Sequence, residues 1–260
     1  LKGKTYLSDQ SYLEWPFFDD RHRKYAKELS EWVKKEIAPL QHEEPKNNDE
    51  LDELCRDFVK KLGEGGWLKY CVPKAFGGRL KGFDVRTLAL TREILSYYSG
   101  LADFSFAMQG LGSGAITLFG SDEQKQSYLP RLATGEIIGT LAHTESTSSP
   151  SVENLTCELN GNKLNGTKIA VTDGDIANFA VVSAKEGEKA VLCLVDLSAK
   201  GVEITSQNTL DPSRSHASIN FKDAEADILG TDVDGWIALQ EILDRAAVLF
   251  AFEQLGGAEA

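Results

Sequence analysis

Leu141-Ala-His143-Thr144-Glu145-Ser-Thr-Ser-Ser149-Pro150-Ser151 and, further on, Asn165-Gly-Thr-Lys168-Ile-Ala170-Val-Thr172-Asp-Gly174 decide the fold. Each reads as a β segment with a hydroxyl near its end. Between them Leu155, Cys157 and Leu159 alternate with Thr156 and Glu158, and Asn160-Gly161 is a strong hairpin signal. Upstream, the apolar period is helical. Ser121 followed three residues later by Gln124 makes a capping box for a helix carrying Tyr128, Leu129 and Leu132. From Ile137 the period changes from about 3.6 to 2. The chain therefore passes from helix to sheet at this point.

Working outward toward the N-terminus, Asp19 and Asp20 can cap a helix whose apolar face is Ala26, Leu29, Val33 and Ile37, stopped by Pro39. A second helix presents Leu51, Leu54, Phe58 and Leu62, with Gly63 as its C-terminal stop. Tyr70 to Pro73 reads as a short extended piece, and Asp84 caps a third helix through Leu88, Leu95 and Tyr98. The run Gly110-Leu-Gly112-Ser-Gly114 resembles a dinucleotide loop only superficially, because no strand precedes it. Close packing between helices is the better reading.

Toward the C-terminus, Ala180-Val-Val-Ser183 and Ala190-Val-Leu-Cys-Leu-Val195 are apolar runs expected to be buried on both faces. Val202 to Thr205 and Ser218 to Phe221 add shorter strands. Near Gly235 the helical period returns, with Ile242, Leu243, Ala246, Phe250 and Leu255 as its stripe. The fold class is α+β. It comprises an N-terminal all-helical domain at 1–137, a largely antiparallel middle β domain at 138–233, and at 234–260 the first helix of a further helical bundle. The chain begins with Leu1 and ends inside a helical pattern, so it is expected to be a fragment of a longer protein.

A net charge of −12 argues against nucleic-acid binding, which needs a basic face. No apolar run approaches the ~20 residues that span a bilayer. Cys55, Cys71, Cys157 and Cys193 form no C-x-x-C pair and have no histidine at metal-ligand spacing. They are expected to be buried thiols in a cytoplasmic protein, with no metal site. No G-x-S-x-G elbow and no H-E-x-x-H run is present, which leaves hydrolase and zinc-enzyme readings without a motif. His22, His42 and His216 sit among charged or polar neighbours, where a solvated surface role is the default.

The ordered set G-x-x-E-Q-K-x-x-Y-L-P-x-L-x-x-G-E (Gly120 to Glu136), x-A-x-T-E (Leu141 to Glu145) and L-N-G-T-K-I-x-x-T-x-G (Leu164 to Gly174) resembles the flavin-dependent acyl-CoA dehydrogenase family. That resemblance covers almost the whole chain. It implies an FAD enzyme that removes two hydrogens across the α–β bond of an acyl-CoA thioester: a carboxylate takes the α-proton and the flavin takes the β-hydride. An electron-transfer flavoprotein is the implied acceptor, and a homo- or hetero-oligomer the implied assembly. The alternative is a catalytically degenerate, dehydrogenase-like subunit that supports an active partner.

Carried over position by position, Leu141, His143 and Thr144 fall on the strand lining the flavin, and Thr144 and Thr172 match the two threonines that hydrogen-bond its ring. Two departures stand out. Where the family has a glycine-rich run ending in Ser-Asp, this chain has Ser146 to Ser151. Pro150 removes an amide donor there, and the hydroxyls of Ser148 and Ser149 could compensate. The family's tryptophan two residues before the second threonine is Ala170 here. A family branch resembling isovaleryl-CoA dehydrogenase carries its base immediately before an arginine on the first helix of the last bundle. That position is Asp244, before Arg245, and the plain alternative is an ordinary helix carboxylate. Asp211-Pro-Ser-Arg214 resembles a D-x-[ST]-R turn of bacterial members.

Overall fold

The computed structural model describes residues 10–41, 45–145, 152, 154–210, 214–230 and 233–260. Five helices come first: α1 (Asp20–Glu36), α2 (Asn48–Glu64), α3 (Val85–Tyr98), α4 (Gly100–Phe119) and α5 (Asp122–Thr134). Their starts are chemically marked. The side chains of Asp19, Asn47, Asp84, Ser99 and Ser121 each accept a bond from a backbone N–H of the first turn, which supplies partners for donors the helix itself cannot satisfy. Ser121 and Gln124 form the full capping box. The Gln124 amide then donates onward to Asp227 Oδ2 at 2.7 Å and to the Ile228 carbonyl at 2.8 Å.

Three local expectations are corrected. Helix α2 runs through Gly63 to Glu64; a methyl at Gly63 would lie 2.1 Å from the Thr134 carbonyl oxygen, so this glycine serves close approach to α5 and not termination. The segment at Tyr70 is a 3₁₀ turn, Leu68–Tyr70, because the chain must fold back to let Pro73 bridge Leu80. The glycine run lies inside α4. Gly112 packs on the backbone of Gly139 and on Phe179, and Gly114 on Phe83, so its neighbours are a strand and a loop aromatic instead of a second helix.

The sheet comprises β1 (Gly139–Ala142), β2 (Glu158–Asn160), β3 (Lys163–Thr172), β4 (Phe179–Glu186), β5 (Lys189–Asp196), β6 (Val202–Gln207), β7 (His216–Glu225) and β8 (Asp227–Ile228). Its order is β6-β7-β3-β2-β4-β5-β8, with β1 paired to β4. Most pairings are antiparallel, including the expected hairpin of β2 and β3, where Gly161 takes φ 62° in the turn. Two are parallel, β1 with β4 and β2 with β4, so the sheet is mixed. Both of these strands use one edge of β4: β1 occupies Phe179 to Val182, and β2 joins only at Lys185.

Strands β4 and β5 are buried on both faces, as their apolar runs predict. Phe179, Val181, Leu192 and Leu194 join the helical core, while Ala180, Val182, Ala184, Cys193 and Val195 pack with Leu164, Val171, Ile219 and Phe221 of β3 and β7. Successive residues of an extended strand point to opposite faces, so one strand pair serves two cores. All four cysteines are buried free thiols. No helix of the described residues is long and apolar enough to cross a membrane.

Helix α6 (Gly235–Glu259) lies along α3. Its buried face is Ala238, Leu239, Ile242 and Gly256, whereas Leu243, Phe250 and Leu255 of the expected stripe are partly exposed. An ion pair sits inside the helix contact: Arg92 of α3 donates to Asp103 of α4 at 2.6 and 2.8 Å and to Glu253 of α6. A methyl at Gly256 would lie 2.1 Å from the Glu93 carbonyl oxygen, which sets how closely α6 approaches.

Candidate functional site

The chain leaves β1 at Ala142 and continues as His143, Thr144 and Glu145. The Ile169 N–H of β3 donates to the Thr144 carbonyl at 2.9 Å, which lays this segment along β3. The register of β3 against β7 shifts between Lys168 and Val171, and in that bulge Ala170 takes φ 50°. An alanine seldom adopts this left-handed geometry; the bulge imposes it. The Ala170 N–H donates to Gln207 Oε1 at 2.9 Å, and its methyl is exposed. The Thr172 carbonyl accepts from Thr140 Oγ1 at 2.7 Å, which fixes the end of β3 against β1.

Leu141, His143, Thr144, Ala170 and Thr172 thus belong to one sheet end built from β1 and β3. Leu141 is buried, and His143, Thr144 and Thr172 are half-buried. Burial, with the nearby Lys168 ammonium, pushes the His143 imidazole below its ordinary pKa, so the ring is neutral at pH 7. Its Nδ1 lies 3.5 Å from Thr144 Oγ1. Ser149 and Pro150 lie outside the described residues, as do His42 and Asp211 to Ser213.

A second feature faces α6. Phe106, Gly110 and Leu111 of α4 and Ile242, Ala246 and Leu249 of α6 line an apolar pocket. A methyl built on Gly110 would meet nothing within 4 Å, so this glycine leaves the α4 side of the pocket open. Asp244 is exposed on α6 and lines no part of that pocket. Its neighbour Arg245 does line it and pairs with Glu241.

Two histidines differ from the surface role expected of them. His22 is fully buried: its N–H and ring complete the α1 cap with Asp19, and its Nε2 lies 3.2 Å from Asp84 Oδ2. His216 is half-buried opposite Thr172. Sequence reasoning also left the burial of several charges unread. Arg92 and Asp103 stood inside apolar helical stretches, a signal that could have marked them as paired. Arg214 lies with its guanidinium on the Phe104 ring, 3.0 Å from the centroid, and 3.8 Å from Asp173. No group of three or more metal-ligating side chains occurs among the described residues.

A profile of the acyl-CoA dehydrogenase N-terminal domain matches residues 19–136. An acyl-CoA dehydrogenase of Bacillus subtilis (strain 168) is 28% identical over 253 residues, covering 90% of this chain and 64% of that protein. The mitochondrial isovaleryl-CoA dehydrogenase of Pongo abelii is 30% identical over 254 residues, covering 91% of this chain and 59% of that protein. The crystal structure of an acyl-CoA dehydrogenase from Bacillus anthracis, complexed with FAD, matches with a TM-score of 0.78 at 29% identity, over 93% of this chain and 43% of the other. This chain therefore spans between 43% and 64% of the length of these three relatives. Helical domain, mixed sheet, closing helix and the ordered motifs along them agree with these matches: residues 19–136 carry the N-terminal domain of the acyl-CoA dehydrogenase family, and the chain as a whole is similar to acyl-CoA dehydrogenases.

Proposed function

We propose that the full-length protein catalyses FAD-dependent α,β-dehydrogenation of an acyl-CoA thioester, with an electron-transfer flavoprotein as acceptor and an oligomer as the working assembly. The observation that carries this reading is the sheet end, where Thr144 and Thr172 are brought beside the bulged, side-chain-poor Ala170. These residues fit a planar, hydrogen-bonding ring. Leu141 gives an apolar floor, two hydroxyls and a neutral imidazole give polar contacts, and Ala170 leaves a step with nothing larger than a methyl. Ser149 belongs to the same proposed contact set.

Flavin, when bound, would supply the acceptor for the β-hydride. The chain's own part is to bind and orient. Thr144 and Thr172 hydrogen-bond the ring, and the apolar pocket between α4 and α6 excludes water from an acyl chain. Asp244 is the proposed base for the α-proton within residues 234–260. A second reading, a degenerate subunit serving an active partner, is favoured by one observation: Asp244 is exposed and lines no part of the apolar pocket between α4 and α6.

Purified full-length protein is expected to show a flavin absorbance spectrum that bleaches anaerobically with acyl-CoA. Asp244→Asn should keep the flavin and abolish the bleaching. Undiminished bleaching in that variant assigns the base elsewhere, and flavin-free wild-type protein favours the second reading.

A further inference from the structure

Lys168 is fully buried in the middle of β3, and among the described residues no other lysine is placed in the interior. Its Nζ donates to Glu145 Oε1 at 2.7 Å and to Ser183 Oγ at 3.0 Å, and reaches the His143 carbonyl at 3.5 Å. The Glu145 carboxylate is saturated from the other side. It accepts from the Thr156 N–H at 2.5 Å, the Thr156 hydroxyl at 2.7 Å and the Cys157 N–H at 3.1 Å.

The pair has a definite place in the topology. Strand β1 leaves the edge of β4 after Val182, and β2 arrives only at Lys185, whose N–H donates to the Cys157 carbonyl. Ser183 falls in the notch between them, and Lys168 reaches it there. Glu145, meanwhile, ties the segment leaving β1 to the segment entering β2. One buried ion pair thus joins four pieces of backbone, next to the Thr144 carbonyl held by Ile169. Charges this enclosed are retained where every lone pair and proton is satisfied, as they are here.

We propose that Glu145 and Lys168 are positioning residues: their buried pair clasps the ends of β1 and β2 to β3 and so holds Thr144 and His143 at the cofactor edge. The clasp rests on the FAD reading for its functional meaning, and its structural half can be judged without cofactor. Opposing effects act on the Glu145 carboxyl: burial raises its pKa, while bonds from Lys168 and Thr156 outweigh that and hold it at about 2.

Thr156 is exposed, so Thr156→Val removes one of the bonds to Glu145 without opening the core. In cofactor-free full-length protein, the Ile169 amide of this variant should exchange roughly tenfold faster, the size expected for one lost charge-assisted hydrogen bond. The Val181 amide should be unchanged. The FAD dissociation constant should rise by about the same factor, the melting temperature should fall by only the few degrees that one such bond accounts for, and Thr156→Ser should restore all three. Glu145→Gln should repeat the effect more strongly. Unchanged Ile169 exchange in both variants overturns the clasp. Faster exchange with unchanged FAD affinity overturns its role in positioning. Wild-type protein that takes up no FAD overturns the functional reading instead, and the clasp then stands or falls on exchange alone.

Discussion

Two buried ion pairs flank Thr172, and they are built in opposite ways. On one side, four residues back along β3, Lys168 and Glu145 share hydrogen bonds with strand, turn and side-chain partners until neither has anything left to satisfy. On the other side, one residue beyond the strand, Asp173 and Arg214 are equally buried but stand 3.8 Å apart. There the Arg214 Nη1 and Nη2, the Asp173 Oδ1 and the Ser215 Oγ find no hydrogen-bond partner among the described residues. Arg214 is held by stacking on Phe104, which in turn meets the Phe250 ring of α6 at 6.4 Å between centroids. The first pair fixes backbone. The second carries the cost of burial with little to offset it.

Three outcomes would break or sharpen that contrast in the full-length protein. The largest is expected from Lys168→Met, which strands the Glu145 carboxylate inside the fold. It should cost about 3–5 kcal/mol in urea unfolding, the range for removing one partner of a buried pair. A loss below about 1 kcal/mol, the size of an exposed pair, would put the first pair on the same footing as the second. Removing the second pair together, as Arg214→Met with Asp173→Asn, should be close to neutral, since both buried charges are removed at once and neither is left alone. A large loss there would mean the orphaned atoms have partners in solution.

The smallest effect is a slope, and the two acids give it opposite signs. Burial raises Asp173 to about 6 against the pull of Arg214. Its contribution to stability is therefore present below its unfolded pKa of about 3.9 and lost as pH rises through about 6. Glu145, held at about 2, contributes above its unfolded value of about 4.3, and that contribution is lost as pH falls toward 2. Wild-type protein should lose stability relative to Asp173→Asn between pH 4 and 6, by up to about 1.4 kcal/mol per pH unit. Relative to Glu145→Gln, it should lose stability on acidification instead. Parallel pH profiles for the two variants would erase the distinction.

Features made by near neighbours in the chain were legible before any coordinates. The caps at Asp19, Asp84 and Ser121 and the turn at Asn160-Gly161 are each written in three or four consecutive residues, and all four form. Thr144, Ala170 and Thr172 could be marked as a group because the motif order preserves their spacing, although the bulge that gathers them is invisible in the letters. Charges inside the fold were not legible. Lys168, Glu145, Arg92 and Glu253 were given no partners, since those partners lie far away in sequence, 161 residues away for Arg92 and Glu253. That same blind spot rotated the expected face of α6. A periodicity argument counts apolar side chains, whereas the seam on α3 is made by a glycine, a carboxylate and an arginine.

The Gln124 side chain has a bearing on the order in which the molecule is made. It caps α5 with its oxygen and holds the last strand, Asp227–Ile228, with its nitrogen. On the ribosome, helices α1 to α5 emerge with most of their contacts local, and such contacts close quickly. Over a hundred further residues must be synthesised before Gln124 meets the strand it holds. Until then the helical face that receives β4, β5 and β8 stays open, a sticky surface on a nascent chain. A ribosome stalled near residue 200 should therefore display a protease-resistant helical half beside an unprotected sheet half, the two uniting only when the chain passes Ile228.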